Sequence, residues 1–236
     1  SGRYAPLAEH LVAHGIAVYA LDHRGHGRSD GTGALIDRLD PAVADLGRLV
    51  DLAAGAGPRP YLLGHSLGAC LALELALADQ TRLSGLVLSS PLVALDTPRP
   101  ILALSRVLSA VVPRLGVYGV KATQISRDPE QVRLYDDDPL NYRGRLPVRT
   151  IAEMSRAIAR FPARAPSLAL PLLILQGAAD RIVPRSGAEA LAERAGSQDK
   201  TLKVYPGLYH ELFNEAEPER SMVLGELVDW LRTPRP

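Results

Sequence analysis

The chain has 236 residues, 47% of them apolar and 22% charged, with a formal net charge of +1. That length suits one large domain with a full core, and so small a charge gives no electrostatic footprint for nucleic acid. Cys70, the lone cysteine, excludes an internal disulfide and fits a reducing compartment, no Cys/His cluster is available to hold a metal, and no uncharged apolar run nears the ~18 residues of a membrane span.

Residues 6–14 (PLAEHLVAH) have helical spacing and meet Gly15, a natural stop. IAVYALD (16–22) is short, apolar and β-branched, which predicts a strand, and the glycines of HRGHGRSDGTG mark a long loop after it. Asp40-Pro41 predicts a helix start by side-chain capping and a preset φ, with the glycines at 55 and 57 ending that helix. YLLGH (61–65) reads as the next strand. LGACLALELALADQ (67–80) is apolar nearly all round, so it is expected as a buried helix directly after Ser66. LSGLVLSS (83–90), PLLILQG (171–177) and TLKVYPG (201–207) are further strands, with a helix over 185–196 and a last one over 218–232. Strands that are continuous apolar runs, alternating with helices, imply an α/β fold: a mostly parallel sheet covered on both faces.

One interval breaks the rhythm. Between Pro91 and Pro171 the chain runs far longer than the roughly dozen residues of a plain crossover. A helical insertion over 93–166 is expected, leaving a core of 1–92 and 167–236. Within the insertion Ile101, Leu104, Leu108 and Val111 share one helical stripe, as do Ile151, Met154, Ile158 and Phe161. Such stripes either bury on the main domain or also line a pocket for a long hydrocarbon.

GHSLG (64–68) is a Gly-x-Ser-x-Gly pattern between a strand and a helix. A serine hydroxyl is a poor nucleophile near pH 7 and needs a base, an acid to orient that base, and donors for the developing oxyanion. The pattern suits that task. Gly64 and Gly68 make room for a sharp turn, Ser66 projects above the sheet, and the Leu67 N–H at the helix start faces the oxyanion. The partners should follow as acid and then histidine, each just past a later strand. Asp180 stands three residues after PLLILQG and His210 three after TLKVYPG, and no other histidine follows Ser66 in that way. Other candidates are weaker: His10 and His14 lack the glutamate of a His-Glu-x-x-His metal site, Asp30 replaces the third glycine of a dinucleotide loop begun at Gly25 and Gly27, and Asp136–Asp138 before Pro139 form a solvated turn.

SGRY, LDHRGHGRSDG, GHSLG, ISRDPEQVRLYDDDPL, LILQGAADRIVP and SQDKTLKVYPGLYHELFNE together resemble the monoacylglycerol lipase and lysophospholipase branch of the α/β-hydrolase superfamily. The resemblance implies cofactor-free hydrolysis of a single-chain glycerol ester by a Ser66, Asp180 and His210 triad, under a cap that forms the acyl tunnel and can touch membrane. It implies polar contacts to the glycerol end from Arg3, His65 and Tyr135, and a cytoplasmic or membrane-associated location. In the family SGRY ends a His-Gly-x-Gly-Glu-x-x-x-Arg-Tyr segment, so the first strands and a second oxyanion donor are expected upstream of Ser1. The same triad would serve a lysophospholipase, a general carboxylesterase or a peptidase, and a non-catalytic hydrolase-fold binder of lipid or protein is the alternative from another class.

Overall fold

A computed structural model describes residues 2–234. Ser1 of the SGRY segment and residues 235 and 236, the end of the expected core, lie outside the described residues. Helix α1 (Ala5–Ala13) carries a proline in its first turn, where no intrahelical N–H is lost, and buries Leu7 and Leu11 one turn apart. Residues 16–22, expected as a strand, have no strand pairing among the described residues, and Val18 and Tyr19 are exposed. Branched side chains favour an extended backbone, but a strand exists only where a neighbouring ladder takes up its N–H and C=O groups. Helix α2 (Leu39–Gly55) starts from Arg38 without a side-chain cap; Asp40, expected to cap it, lies inside the first turn and accepts from Arg38 Nη2 at 3.2 Å instead.

Strand β1 (Tyr61–His65) leads through α3 (Leu67–Ala78) to β2 (Gly85–Ser89). The long interval that follows holds α4 (Arg99–Val111), β3 (Gly116–Tyr118), α5 (Pro129–Asp137), β4 (Leu146–Pro147) and α6 (Val148–Arg164), with β3 and β4 antiparallel. The chain returns through β5 (Leu172–Gly177), α7 (Arg185–Arg194), β6 (Lys200–Tyr205) and α8 (Glu219–Arg232).

The main sheet of the described residues runs β1-β2-β5-β6, all parallel. β2 and β5 read as unbroken apolar runs because successive side chains go to opposite faces and both faces are covered, whereas β6, last in the order, carries Lys200, Thr201 and Lys203. Leu86, Leu88, Leu172 and Ile174 pack with α2, α3, α6 and α7, whereas Val87, Leu173 and Leu175 pack with α1 and α8. Parallel register brings the carboxyl ends together: His65 lies opposite Ser89, and Gly177 opposite Tyr205. Loops leaving those ends share one rim.

The two expected stripes of the long interval differ. In α6, Met154 and Phe161 are buried in the main core, and Arg160 and Arg164 from the same helix reach Glu74 of α3 at 2.9 and 2.6 Å. In α4, Ile101, Leu104 and Val111 are 55%, 56% and 77% exposed, so that stripe does not bury on the main domain. The helix instead buries Ser105 and Ser109, whose hydroxyls bond back to the carbonyls of Leu102 and Arg106, and it packs against α6. Small side chains at that contact let the two helices approach closely.

Candidate active site

Between β1 and α3 the whole change of direction falls on one residue. Ser66 has φ +52° and ψ −118°, a left-handed backbone that costs a residue with a Cβ about 1–3 kcal/mol. Its surroundings hold it there: the Ser66 N–H donates to the Ser89 carbonyl at 3.0 Å, and the Ser66 carbonyl accepts from Ala69, Cys70 and Leu92 at 3.0 to 3.3 Å. A Cβ on Gly64 would stand 2.6 Å from the Gly68 carbonyl oxygen and 2.7 Å from Ala69 Cα. Only glycine lets the helix descend so close to the strand. Gly68 was expected to make the same room, yet a Cβ there meets nothing within 4 Å. Leu67 opens α3, so its N–H has no carbonyl one turn back and stands at the positive end of the helix.

Asp180 follows β5 in a turn closed by its own N–H to the Gly177 carbonyl at 3.3 Å. Its carboxylate is fully buried. One oxygen accepts the N–H groups of Ile182 and Val183 at 2.8 and 3.2 Å, and the other accepts Gln176 Nε2 at 3.2 Å and His210 Nδ1 at 2.8 Å. Burial pushes this carboxyl group up, but the bond and charge of His210 and the two backbone donors outweigh it and hold the group below its ordinary range. An ionised carboxylate only accepts, so Nδ1 carries a proton, and in the neutral ring Nε2 holds the lone pair. The His210 ring is almost wholly buried, and its main-chain carbonyl accepts the Ser90 hydroxyl at 2.7 Å.

His65, inside the turn, lies with its ring 4.7 Å from that of His210 and its Nδ1 3.3 Å from the Ser89 hydroxyl. Burial, and then the proximity of His210, pull its pKa well below the usual histidine range, so it is neutral at neutral pH. Tyr4 meets His65 edge-on at 6.3 Å. Arg3 donates from Nε to Glu211 at 2.6 Å, reaches the Gln131 carbonyl at 3.4 Å, and places its guanidinium 5.2 Å from the Tyr135 ring centre. Arg3, Tyr135 and the residue after His210 thus form one cluster. Burial first, then the Glu211 charge, raises the Tyr135 hydroxyl pKa against the opposing pull of Arg3.

Sequence reasoning missed Glu211, Gln176 and Ser90. Glu211 sits in the quoted YHELFNE segment, but no spacing rule links it to a residue 208 positions away. Among the described residues no group of three His, Cys, Asp or Glu side chains is placed to hold a metal, and His14 spends its Nδ1 on the His10 carbonyl at 2.8 Å.

A parallel sheet with a serine on the turn from β1 to α3, and with acid and histidine on the loops that leave β5 and β6 at the same rim, defines an α/β hydrolase. The serine aminopeptidase, S33 family matches residues 1–217. A monoacylglycerol lipase of Mycolicibacterium smegmatis is 40% identical over 98% of this chain and 83% of its own length, and the human monoglyceride lipase is 37% identical over 98% and 78%. The crystal structure of the Paleococcus ferrophilus monoacylglycerol lipase superposes with a TM-score of 0.89 at 31% identity, covering 98% of this chain and 89% of that one. The chain belongs to the serine aminopeptidase, S33 family of hydrolases.

Gly64→Ala is expected to lower the unfolding free energy by about 1–3 kcal/mol, because its Cβ meets backbone that cannot yield cheaply, while Gly68→Ala stays within about 1 kcal/mol of the parent. Urea titration of both variants checks the contrast, and equal midpoints would contradict it. Asp180→Asn should also be less stable at neutral pH. Because the folded pKa of Asp180 is depressed, its contribution is complete above the ordinary carboxyl pKa of about 4 and is lost as pH falls below it. Unfolding free energies measured from pH 7 down to pH 3 should show the gap between parent and variant narrowing at the acid end, and a constant gap would refute the linkage.

Proposed function

We propose that the protein is a serine esterase that splits monoacylglycerols into fatty acid and glycerol, with Ser66 as nucleophile, His210 as base and Asp180 as the acid that orients it. The observation that carries this reading is the buried His210–Asp180 pair on the rim where the strained Ser66 turn also stands. The names of the relatives at 37–40% identity support the substrate class.

The chemistry is acyl transfer in two steps. His210 Nε2 takes the Ser66 proton as the hydroxyl oxygen bonds to the ester carbonyl carbon, and the Leu67 N–H stabilises the resulting oxyanion; one such donor is worth about 10²- to 10³-fold in turnover. His210 then gives the proton to the departing glycerol oxygen, leaving the acyl group on Ser66. Water, deprotonated by the same imidazole, releases the fatty acid and restores the serine. A neutral His65 leaves His210 free to take up positive charge without a cation beside it. Arg3, His65 and Tyr135 are assigned to the alcohol end of the substrate, Arg3 acting from its ion pair with Glu211.

Residues 93–166 are assigned as the cap over this site. The outward apolar face of α4 supports contact between the cap and a lipid surface, which is where a poorly soluble monoacylglycerol is found. No helix of the described residues is long and apolar enough to cross a membrane. The buried thiol of Cys70 fits the reducing cytoplasm.

Ser66→Ala is expected to reduce turnover of a p-nitrophenyl ester to background while circular dichroism stays native, and full activity in that variant would refute the assignment. In a substrate panel a long-chain monoacylglycerol should exceed a lysophospholipid, a short-chain ester and an aminoacyl p-nitroanilide in kcat/KM; a preference for one of the last three would reassign the leaving group. Replacing Leu104 and Val107 together by Glu should weaken sedimentation with phospholipid vesicles and leave turnover of a soluble short-chain ester unchanged. Equal vesicle binding by parent and variant would remove α4 from the lipid contact.

A further inference from the structure

Glu215 is the most secluded carboxylate of the loop that carries His210, with no exposure of its side chain. A buried charge needs a full set of donors, and Glu215 has them. One oxygen accepts the Tyr209 N–H at 2.6 Å; the other accepts the N–H and Nε of Arg127 at 3.2 and 3.1 Å and the Ala216 N–H at 3.3 Å. The first of these bonds closes residues 209–215 into a ring around His210, so the residue immediately before the imidazole is fixed by a side chain beyond it. The Arg127 bonds tie that ring to the segment between β3 and α5. Two further contacts join the same pieces: the Glu211 N–H donates to the Ile125 carbonyl at 2.7 Å, and the Ser126 hydroxyl donates to the Asn214 carbonyl at 2.8 Å. Arg127 also reaches Glu219 at 3.4 Å, but that carboxylate is about one-third exposed and holds nothing in the ring.

We propose that Glu215 is a positioning residue for the reaction: through Tyr209 and Arg127 it locks the His210 backbone to the middle of the cap segment, so that the seating of the cap at residues 125–128 sets the aim of the imidazole. This rests on the reading of His210 as the base. Asp180 orients the ring of His210, and Glu215 orients the backbone from which that ring hangs. The two constraints are separate, because the Asp180 donors and the Glu215 donors share no residue.

The test uses the whole chain and a soluble p-nitrophenyl butyrate, whose binding needs little of the cap. Glu215→Gln keeps the shape and one acceptor but removes the charge that holds Arg127; misplacement of a catalytic group by about 1 Å costs up to about 10²-fold, so kcat should fall by about 10- to 10²-fold with KM within about threefold. Arg127→Met should reproduce the kcat loss from the opposite side of the contact, Arg127→Lys should recover part of it, and Glu219→Gln should leave kcat unchanged. The low-field proton resonance of His210 Nδ1–H bonded to Asp180 should move or broaden in the first two variants and persist in the last. A folded Glu215→Gln with parental kcat and an unmoved resonance would overturn the proposal. If Glu215→Gln does not fold, Arg127→Met alone decides by the same criteria. Parent and Ser66→Ala assayed beside them keep the outcomes distinct: an inactive parent or an active Ser66→Ala contradicts the reading of the triad, whereas an active parent with an indifferent Glu215→Gln contradicts only the role of Glu215.

Discussion

A carboxylate shut away from water must be surrounded by donors, and the rim of the main sheet is built around that demand at Asp180. Gln176 supplies one donor from the end of β5, Ile182 and Val183 supply two from the turn that follows, and His210 supplies the fourth from the loop after β6. Parallel pairing of β5 with β6 makes this possible, since it puts Gly177 opposite Tyr205 and so starts both loops side by side. The orientation of the imidazole is then a consequence of satisfying the acid. With Nδ1 committed to Asp180, the remaining nitrogen is the basic one, which is the protonation state that acyl transfer requires.

The serine side of the site is held by a different means. Ser66 sits in an unfavourable backbone region that no local propensity would select, and it stays there because its N–H is taken by β2, its carbonyl by α3 and Leu92, and its neighbour Gly64 leaves α3 no obstacle. Strain kept in place by surrounding packing fixes the Ser66 hydroxyl in advance of any substrate, which is what its proposed role as nucleophile requires. His65 joins the two halves: it belongs to the strained turn, yet its ring lies tilted by 57° and 4.7 Å from the ring that Asp180 orients. Its neutrality matters there.

The sheet was legible in the sequence because its strands are covered on both faces, which turns them into continuous apolar runs such as GLVLS and LLILQG. Ser66 and Asp180 stood out for a related reason, as each comes soon after such a run, and His210 by its place just past the strand TLKVY. Where the sequence misled, the missing information was a partner. IAVYALD has the composition of a strand but nothing in it says whether a ladder lies alongside. The α4 periodicity correctly separated two faces, but amphipathicity does not say that Ser105 and Ser109 turn inward while Ile101, Leu104 and Val111 face out. The clusters of Arg3 with Glu211 and Arg127 with Glu215 join residues 208 and 88 positions apart, and no local pattern reports such a meeting.

On the proposed reading, the Ser66 oxygen becomes nucleophilic because His210, aligned by Asp180, removes its proton. Peptide mapping by mass spectrometry after exposure to a fluorophosphonate tests it most directly, since that reagent forms a covalent adduct only with an activated hydroxyl. One adduct is expected, on Ser66, formed rapidly in the parent and no longer detectable in a folded His210→Ala. An adduct on another serine, or equal labelling of Ser66 without the imidazole, would contradict it.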